Sequence, residues 1–382
     1  DKELTKDCFF QCNFEIYENN NEPIFAEYQE KNIKYMDDEE LSLHLLHRNF
    51  KSYAIGHGCS ASWDKLDKGC TRVFTEIFPT HEIKPVRAKQ FDDLNLEMDK
   101  FSNDINFSIE QLKKLLKKYN DWLEDEDKKS NLLDSQLKNI SKLNVNKAKN
   151  VAKRIDQGIE ILQNNQDAQE AFKLMNKAML QQQFHYTLST EDDFKFSGDL
   201  KNINYSEEIK NMQIGEKIIS KGKWYPFQIA FIVMNIKSFT DPFSEDRDIM
   251  DLIWFPTGGG KTEAYLGLSA FVIFLRKIVN PNSYGNAVIM RYTLRLLTTQ
   301  QFLRASTLIC ACEKIRSENV EKLGKKNIEI GLWIGGQATP NKLSQADKLV
   351  DLLKEKTYVE NKFLLLNCPW CGTSMGPKID PK

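Results

Sequence analysis

Phe255-Pro256-Thr257-Gly258-Gly259-Gly260-Lys261-Thr262 lies between an apolar run ending at Trp254 and a helical pattern starting with Glu263. A strand, a glycine-rich turn and a helix in that order predict a phosphate loop. The glycines let successive backbone N–H groups face an anion, and the positive end of the following helix adds to the field. Lys261 then reaches the β and γ phosphates of ATP, and the Thr262 hydroxyl holds Mg²⁺. These two are the candidate catalytic residues, with Thr257, Gly258, Gly259 and Gly260 completing the cradle. Phe255 stands where the general pattern has glycine or a small residue, so the loop is a variant. An incidental lysine behind a glycine-rich turn is the blander alternative, but it leaves the register of strand, turn and helix unexplained.

Downstream of the loop, strand-like apolar runs and helical patterns take turns: residues 249–254, 262–278, 287–290, 295–315 and 328–334. Such alternation with short connections predicts an α/β fold with a parallel, helix-flanked sheet over residues 224–382. Upstream, residues 188–223 are polar and read as a linker. Residues 106–187 lack proline and repeat apolar positions at helical spacing, as in Leu112, Leu115, Leu116, Tyr119 and Leu123, which predicts an α-helical domain with a break at Asn164-Asn165. Residues 1–105 carry short strand-like segments, among them 8–17, 52–55, 70–77 and 81–86, interrupted by Pro79, Pro85 and the Gly56-His57-Gly58 turn, and read as a β-rich region.

Two segments flank the loop as candidate ligand contacts. Tyr225-Pro226-Phe227-Gln228 opens a helical pattern, and the Gln228 amide can both donate to and accept from an adenine edge, with Phe227 beside it; read alone, Gln228 is an ordinary helix residue. After residues 287–290 comes Arg291-Tyr292-Thr293-Leu294-Arg295-Leu296-Leu297-Thr298-Thr299-Gln300-Gln301. Hydroxyls, amides and guanidinium groups at a helix start position a nucleic-acid backbone without reading its bases, which makes Thr293, Arg295 and Gln300 candidates; Arg295 reads as well as a plain surface arginine. Gly335-Gly336 and Thr339 form a second such candidate segment.

These motifs resemble superfamily 2 helicases. The 256–262 stretch looks like motif I, 225–228 like the adenine-reading Q motif, and 291–301 like motif Ia without its usual Pro-Thr pair; 334–341 resembles the paired-glycine loop and motif Ib. Over residues 50–375 the chain more closely resembles the DrmA-like helicase subunits of DISARM anti-phage systems, most specifically in the phosphate-loop and motif Ia blocks. The resemblance implies a RecA-like motor domain, ATP and Mg²⁺ as cofactors, DNA as substrate, a second DISARM protein as partner and functional association with a DNA methyltransferase. In that family an Asp-Glu strand follows motif Ib and a second motor domain supplies arginine fingers. Neither occurs between Asn341 and Lys382, so the chain is expected to stop within the first motor domain and to hydrolyse ATP poorly by itself. A nucleotide-sensing or scaffolding module is the rival expectation.

Composition narrows the rest. Lys+Arg 53 against Asp+Glu 54 gives a formal net charge of -1, so no global basic field announces nucleic acid and any such site is local. A mean hydropathy of -0.51 and the lack of a long uncharged apolar run argue against a membrane span. Eight cysteines in 382 residues are too sparse for a disulfide scaffold and suit a reducing cytoplasmic setting. Cys368-Pro369-Trp370-Cys371-Gly372 is a knuckle that offers two thiolates, half a Zn²⁺ site, or else an unoccupied reduced pair. Cys310 and Cys312 fall on an apolar helix and read as buried thiols, and the Glu124-Asp125-Glu126-Asp127-Lys128-Lys129 run reads as a solvated surface or loop.

Overall fold

The computed structural model describes residues 12–19, 22–28, 33–64, 69–80, 91–190, 199–210, 213–214, 217–218, 222–254, 259–292, 295–334, 339–355 and 361–375. The chain divides into two compact units, residues 1–85 with 121–149, and residues 86–120 with 150–382.

In the first unit β1 (Glu15–Tyr17), β2 (Ser60–Trp63) and β3 (Arg72–Glu76) form an antiparallel sheet in the order β1-β3-β2. The register pairs Ile16 with Val73 and Ser62 with Phe74. Helix α1 (Asp38–His47) starts where Asp37 and Glu40 cap each other's backbone N–H groups, which satisfies two donors that a helix start leaves open. Its Leu41 and Leu45 pack with Leu137 and Ile140. The acidic run is helical, and Lys128 pairs with Asp125, Lys129 with Glu126 and Lys149 with Asp127. The expected segment 52–55 carries no strand, and residues 8–11 and 81–86 lie outside the described residues apart from their neighbours.

The second unit is built around helices. Helix α2 (Met98–Asn103) precedes α3 (Ile105–Ser130), α4 (Ser135–Asn164) and α5 (Gln166–Thr190), and the break between the last two falls at Asn165, within the Asn-Asn pair. Helices α3 and α4 belong to this unit up to Asn120 and from Asn150. Helix α5 is buried nearly all round, with Phe172, Met175, Met179 and Phe184 fully enclosed. A helix buried on nearly every face, here with polar Asn176, Gln181, Gln182 and His185 among its buried residues, sits inside a core, and α2, α8 and α9 pack on it. After α6 (Tyr205–Lys210) and the two-residue strands β4 (Gln213–Ile214) and β5 (Lys217–Ile218) come α7 (Pro226–Thr240), α8 (Lys261–Val279), α9 (Arg295–Glu318), α10 (Val320–Leu323) and α11 (Leu343–Lys354). Gly267 lets α7 and α8 approach: a Cβ there would stand 2.7 Å from both Ile232 Cδ1 and the Trp224 ring.

The parallel sheet expected over residues 224–382 is not present among the described residues. Among the described residues 251–254, 287–290 and 328–334 carry no strand pairing, and the only sheets are antiparallel. Met250, Leu252, Ile289 and Trp333 are 95%, 85%, 83% and 100% exposed. A parallel strand gains nothing locally: it becomes stable only with neighbours on its edges and helices over both faces. These runs have the composition of buried strands without such neighbours among the described residues. The helices around them formed because their hydrogen bonds are internal to each segment.

Candidate nucleotide site

The site is assembled at the start of α8. Gly260 is its N-cap, with φ of 84° and ψ of 21°, a left-handed conformation that favours glycine. Lys261 and Thr262 follow as the first helical residues, both half-buried, so the orphan N–H groups of a 19-residue helix open beside them. Gly259 is described as a bend; Phe255, Pro256, Thr257 and Gly258 lie outside the described residues.

Gln228 stands against this turn. Its Nε2 donates to the Gly260 carbonyl at 2.7 Å, and its Oε1 accepts from the Tyr225 N–H at 2.8 Å. Pro226 in the first turn of α7 and this back-reaching amide are standard helix-start devices. Gln228 is 2% exposed, and its amide keeps one N–H and one lone pair beyond these two bonds. The Phe227 ring lies parallel to Tyr225 at 6.3 Å. Backbone bonds between Leu96 and Trp224 and between Met98 and Gly222 fix the approach to α7, and Trp224 Nε1 donates to Asn176 Oδ1 of α5 at 2.7 Å.

Beside Gln228 and Gly260 opens a cleft of about 740 Å³ whose walls include Trp224, Tyr225, Tyr186 and Phe91. Glu263 and Arg304 line it too and form an ion pair, with the Arg304 guanidinium 5.5 Å above the Tyr186 ring. Arg304 Nε is buried without a hydrogen-bond partner. An aromatic cleft with a few convergent polar groups is the usual form of a site for a planar ligand.

Helix α9 reaches the same place from the other side. The Tyr265 hydroxyl lies 3.0 Å from the Thr262 hydroxyl, 3.1 Å from Gln301 Oε1 and 2.9 Å from the Tyr292 hydroxyl. Burial, and the bond to Tyr265, push the Tyr292 phenol well above its ordinary value, so it stays protonated. Gln300 is exposed and Thr339 half-buried; Arg295 begins α9, while Thr293, Gly335 and Gly336 lie outside the described residues. Sequence reading missed Glu263, Tyr265, Tyr292 and Arg304. The signal available was the spacing of Tyr265 and Gln301 within the two helices that flank the loop, which has no meaning until the helices are packed.

The cysteine knuckle forms a hairpin in which Cys368 N–H donates to the Thr373 carbonyl and Gly372 N–H to the Cys368 carbonyl. The Thr373 hydroxyl, 3.1 Å from Cys371 Sγ, holds that thiol below its ordinary value. Between the cysteines, Trp370 stacks on His185 with ring centroids 3.3 Å apart, and its carbonyl lies 2.5 Å from His185 Nδ1. Among the described residues no group of three or more His, Cys, Asp or Glu side chains is placed to hold a metal. Cys312 is buried, which raises its thiol well above the ordinary value.

Over 97% of its length the chain is 33% identical to the DISARM protein DrmA of Bacillus paralicheniformis. Nearly the whole chain is thus similar to a DISARM component. It spans 33% of the length of that relative, and the similarity runs through both compact units. No family model matches it. No helix among the described residues is long and apolar enough to cross a membrane.

Proposed function

We propose that this chain is the nucleotide-binding part of an ATP-driven, DNA-acting helicase or translocase subunit of a DISARM anti-phage system. The observation that carries the reading is the Gln228–Gly260 contact: two motifs 32 residues apart, each expected to touch ATP, meet at the start of α8. The phosphates would sit on Gly259, Gly260 and the first turn of α8, with Lys261 supplying positive charge and the Thr262 hydroxyl a ligand for Mg²⁺. The base would enter the cleft beside Gln228, where Trp224 and Tyr225 offer aromatic faces and the remaining amide N–H and lone pair offer edge contacts. Mg²⁺ would neutralise phosphate charge in transfer to water.

DNA would run along the segment that holds Thr293, Arg295 and Gln300, and along Gly335, Gly336 and Thr339, held by its backbone. A second DISARM protein and a DNA methyltransferase complete the proposed setting, in the cytoplasm. Zn²⁺ on Cys368 and Cys371 is a further part of it, read by elemental analysis of wild type and of a Cys368→Ser, Cys371→Ser variant; zinc absent from carefully prepared wild type removes it.

The rival reading, a nucleotide-sensing or scaffolding module, is favoured by one observation: the carboxylate next to Thr262, Glu263, is engaged by Arg304. Phosphate release with and without DNA separates the two. DNA-stimulated release that disappears in Lys261→Ala supports the motor, and nucleotide binding with no release in the full-length protein supports the sensor.

A further inference from the structure

Glu263 follows Thr262 in the first turn of α8 and lines the cleft together with Gln228 and Gly260. Side chains on a helix lean towards its N-terminus, so this carboxylate tilts back to the turn that Gly260 caps. One of its oxygens, Oε1, accepts from Arg304 Nη2 of α9. The other, Oε2, accepts no hydrogen bond from the described residues. Arg304 is held from a further side by the Tyr186 ring, 5.5 Å from its guanidinium carbon, and its buried Nε–H has no acceptor among the described residues. The pair is sheltered, each side chain 21% exposed, yet both residues line the cleft.

An unpaired carboxylate one residue from a phosphate loop would repel a polyphosphate. Arg304 cancels that charge and leaves the lone pairs of Oε2 available. The group that suits such a place gives a proton to a carboxylate and also offers a lone pair to a guanidinium. A hydroxyl does both, whereas an ionised phosphate oxygen only accepts and an exocyclic amine only donates. In a nucleotide the sugar lies between phosphates and base. With the phosphates on the first turn of α8 and the base beside Gln228, the sugar falls within the part of the cleft that Glu263 lines.

We infer that Glu263 reads the sugar of the bound nucleotide, its free carboxylate oxygen accepting from the vicinal ribose hydroxyls, with Arg304 as the positioning residue that neutralises and orients it. This rests on the nucleotide reading above and names the substrate class within it: ribonucleotides, as against nucleotides without the diol. A site built to hold a hydroxyl rejects the analogue that lacks it, because its own polar groups are then left unpaired.

The test uses the full-length protein with Mg²⁺ and calorimetric titration of unlabelled ATP and 2′,3′-dideoxy-ATP, since a dye on the ribose would block the group in question. The quantity read is the Kd for the dideoxy nucleotide divided by that for ATP. Wild type is expected to give a ratio of about tenfold or more, as for a hydrogen bond to a charged group. Glu263→Ala is expected to bring the ratio to within about twofold of unity. Glu263→Gln keeps the length and the bond to Arg304 but loses the charge, and is expected to fall between the two. Thermal melting establishes that each variant is folded, and the nearly isosteric Glu263→Gln decides the ratio should Glu263→Ala melt early. Arg304→Gln is expected to weaken both nucleotides several-fold by leaving Glu263 charged beside the phosphates, and adding Glu263→Ala to it should restore the affinity of Glu263→Ala alone. A wild type that binds both nucleotides equally overturns the inference while nucleotide binding still stands, and so does a wild-type ratio retained in either Glu263 variant. Absence of recovery in the double variant overturns the role given to Arg304. A wild type that binds neither nucleotide, or a Lys261→Ala variant that binds ATP as well as wild type, overturns the functional reading itself and this inference with it.

Discussion

The side-chain amide of Gln228 donates a 2.7 Å hydrogen bond to the carbonyl of Gly260, tying the start of α7 to the start of α8. One side chain thus closes two helix ends, since its oxygen also accepts the Tyr225 N–H. Its removal leaves the Tyr225 N–H without this acceptor and the Gly260 carbonyl with only its helical bond, in a partly buried place, at a cost of roughly 1–3 kcal/mol for the orphaned donor. Gln228→Ala is therefore expected to lower the urea midpoint clearly. Gly260→Ala should act at the same point by another route, because a left-handed residue with a side chain costs about 1–2 kcal/mol and its Cβ would stand 2.7 Å from Gln228 Nε2. An unchanged midpoint in both variants would show that this contact does not organise the site.

Arg154 of α4 makes a bidentate pair with Asp251, at 2.6 and 2.8 Å, and also reaches Asn235 Oδ1 at 3.3 Å. The Arg154 side chain is 9% exposed and Asp251 17%, so the pair is largely out of water. Asp251→Ala leaves an enclosed cation with the neutral Asn235 oxygen and the weaker Asp246 contact at 3.6 Å, and is expected to cost about 3–5 kcal/mol. Replacing both partners by apolar residues, Arg154→Met with Asp251→Leu, should cost less than Asp251→Ala alone. Denaturant unfolding of the three proteins decides it, and a single variant no worse than the double contradicts the account.

His185 is fully buried, stacked on Trp370 and bonded through Nδ1 to the Trp370 carbonyl and through Nε2 to the Tyr205 hydroxyl at 3.2 Å. Burial keeps the Tyr205 phenol protonated by pushing it up to about 12, so Tyr205 donates and the neutral ring donates from Nδ1. Burial likewise lowers His185 from its ordinary 6.5 to about 4, against a smaller opposing pull from the Trp370 carbonyl. Between those values the unfolded chain binds the proton and the folded chain does not, so protonation favours unfolding. The contribution is complete above about pH 6.5 and is lost as pH falls towards 4, on the order of 3 kcal/mol in all. Unfolding measured from pH 7.5 to 4 should show this decline in wild type and a shallower one in His185→Asn. Equal slopes would contradict it.

The helices were legible because their signal is local. Leu112, Leu115 and Leu123 repeat at helical spacing, and α3, α4 and α5 appear where the pattern placed them, with the break at Asn165. Helices α8 and α9 begin at Lys261 and Arg295, within two residues of the pattern. Strand segments 8–17 and 70–77 hold β1 and β3, whereas the apolar runs downstream were harder to read, since a run such as 249–254 states only that it suits burial, and what buries it lies elsewhere in space. At the candidate site, motif spacing singled out Gly260, Lys261, Thr262 and Gln228, of which Gln228 and Gly260 are in contact. Tyr265 and Arg304 escaped because single residues on amphipathic helices have no signature until their partners on a packed helix are known.

The central claim is that the start of α8 binds the phosphates of ATP through Lys261. Titration of the protein with a fluorescent ATP analogue in the presence of Mg²⁺ tests it most directly, with Lys261→Ala as the control and thermal melting to establish that both are folded. The account predicts saturable binding by wild type and a loss of about 10- to 100-fold in affinity in the variant, the range of one charge-assisted contact. Equal affinity in two equally stable proteins would contradict it.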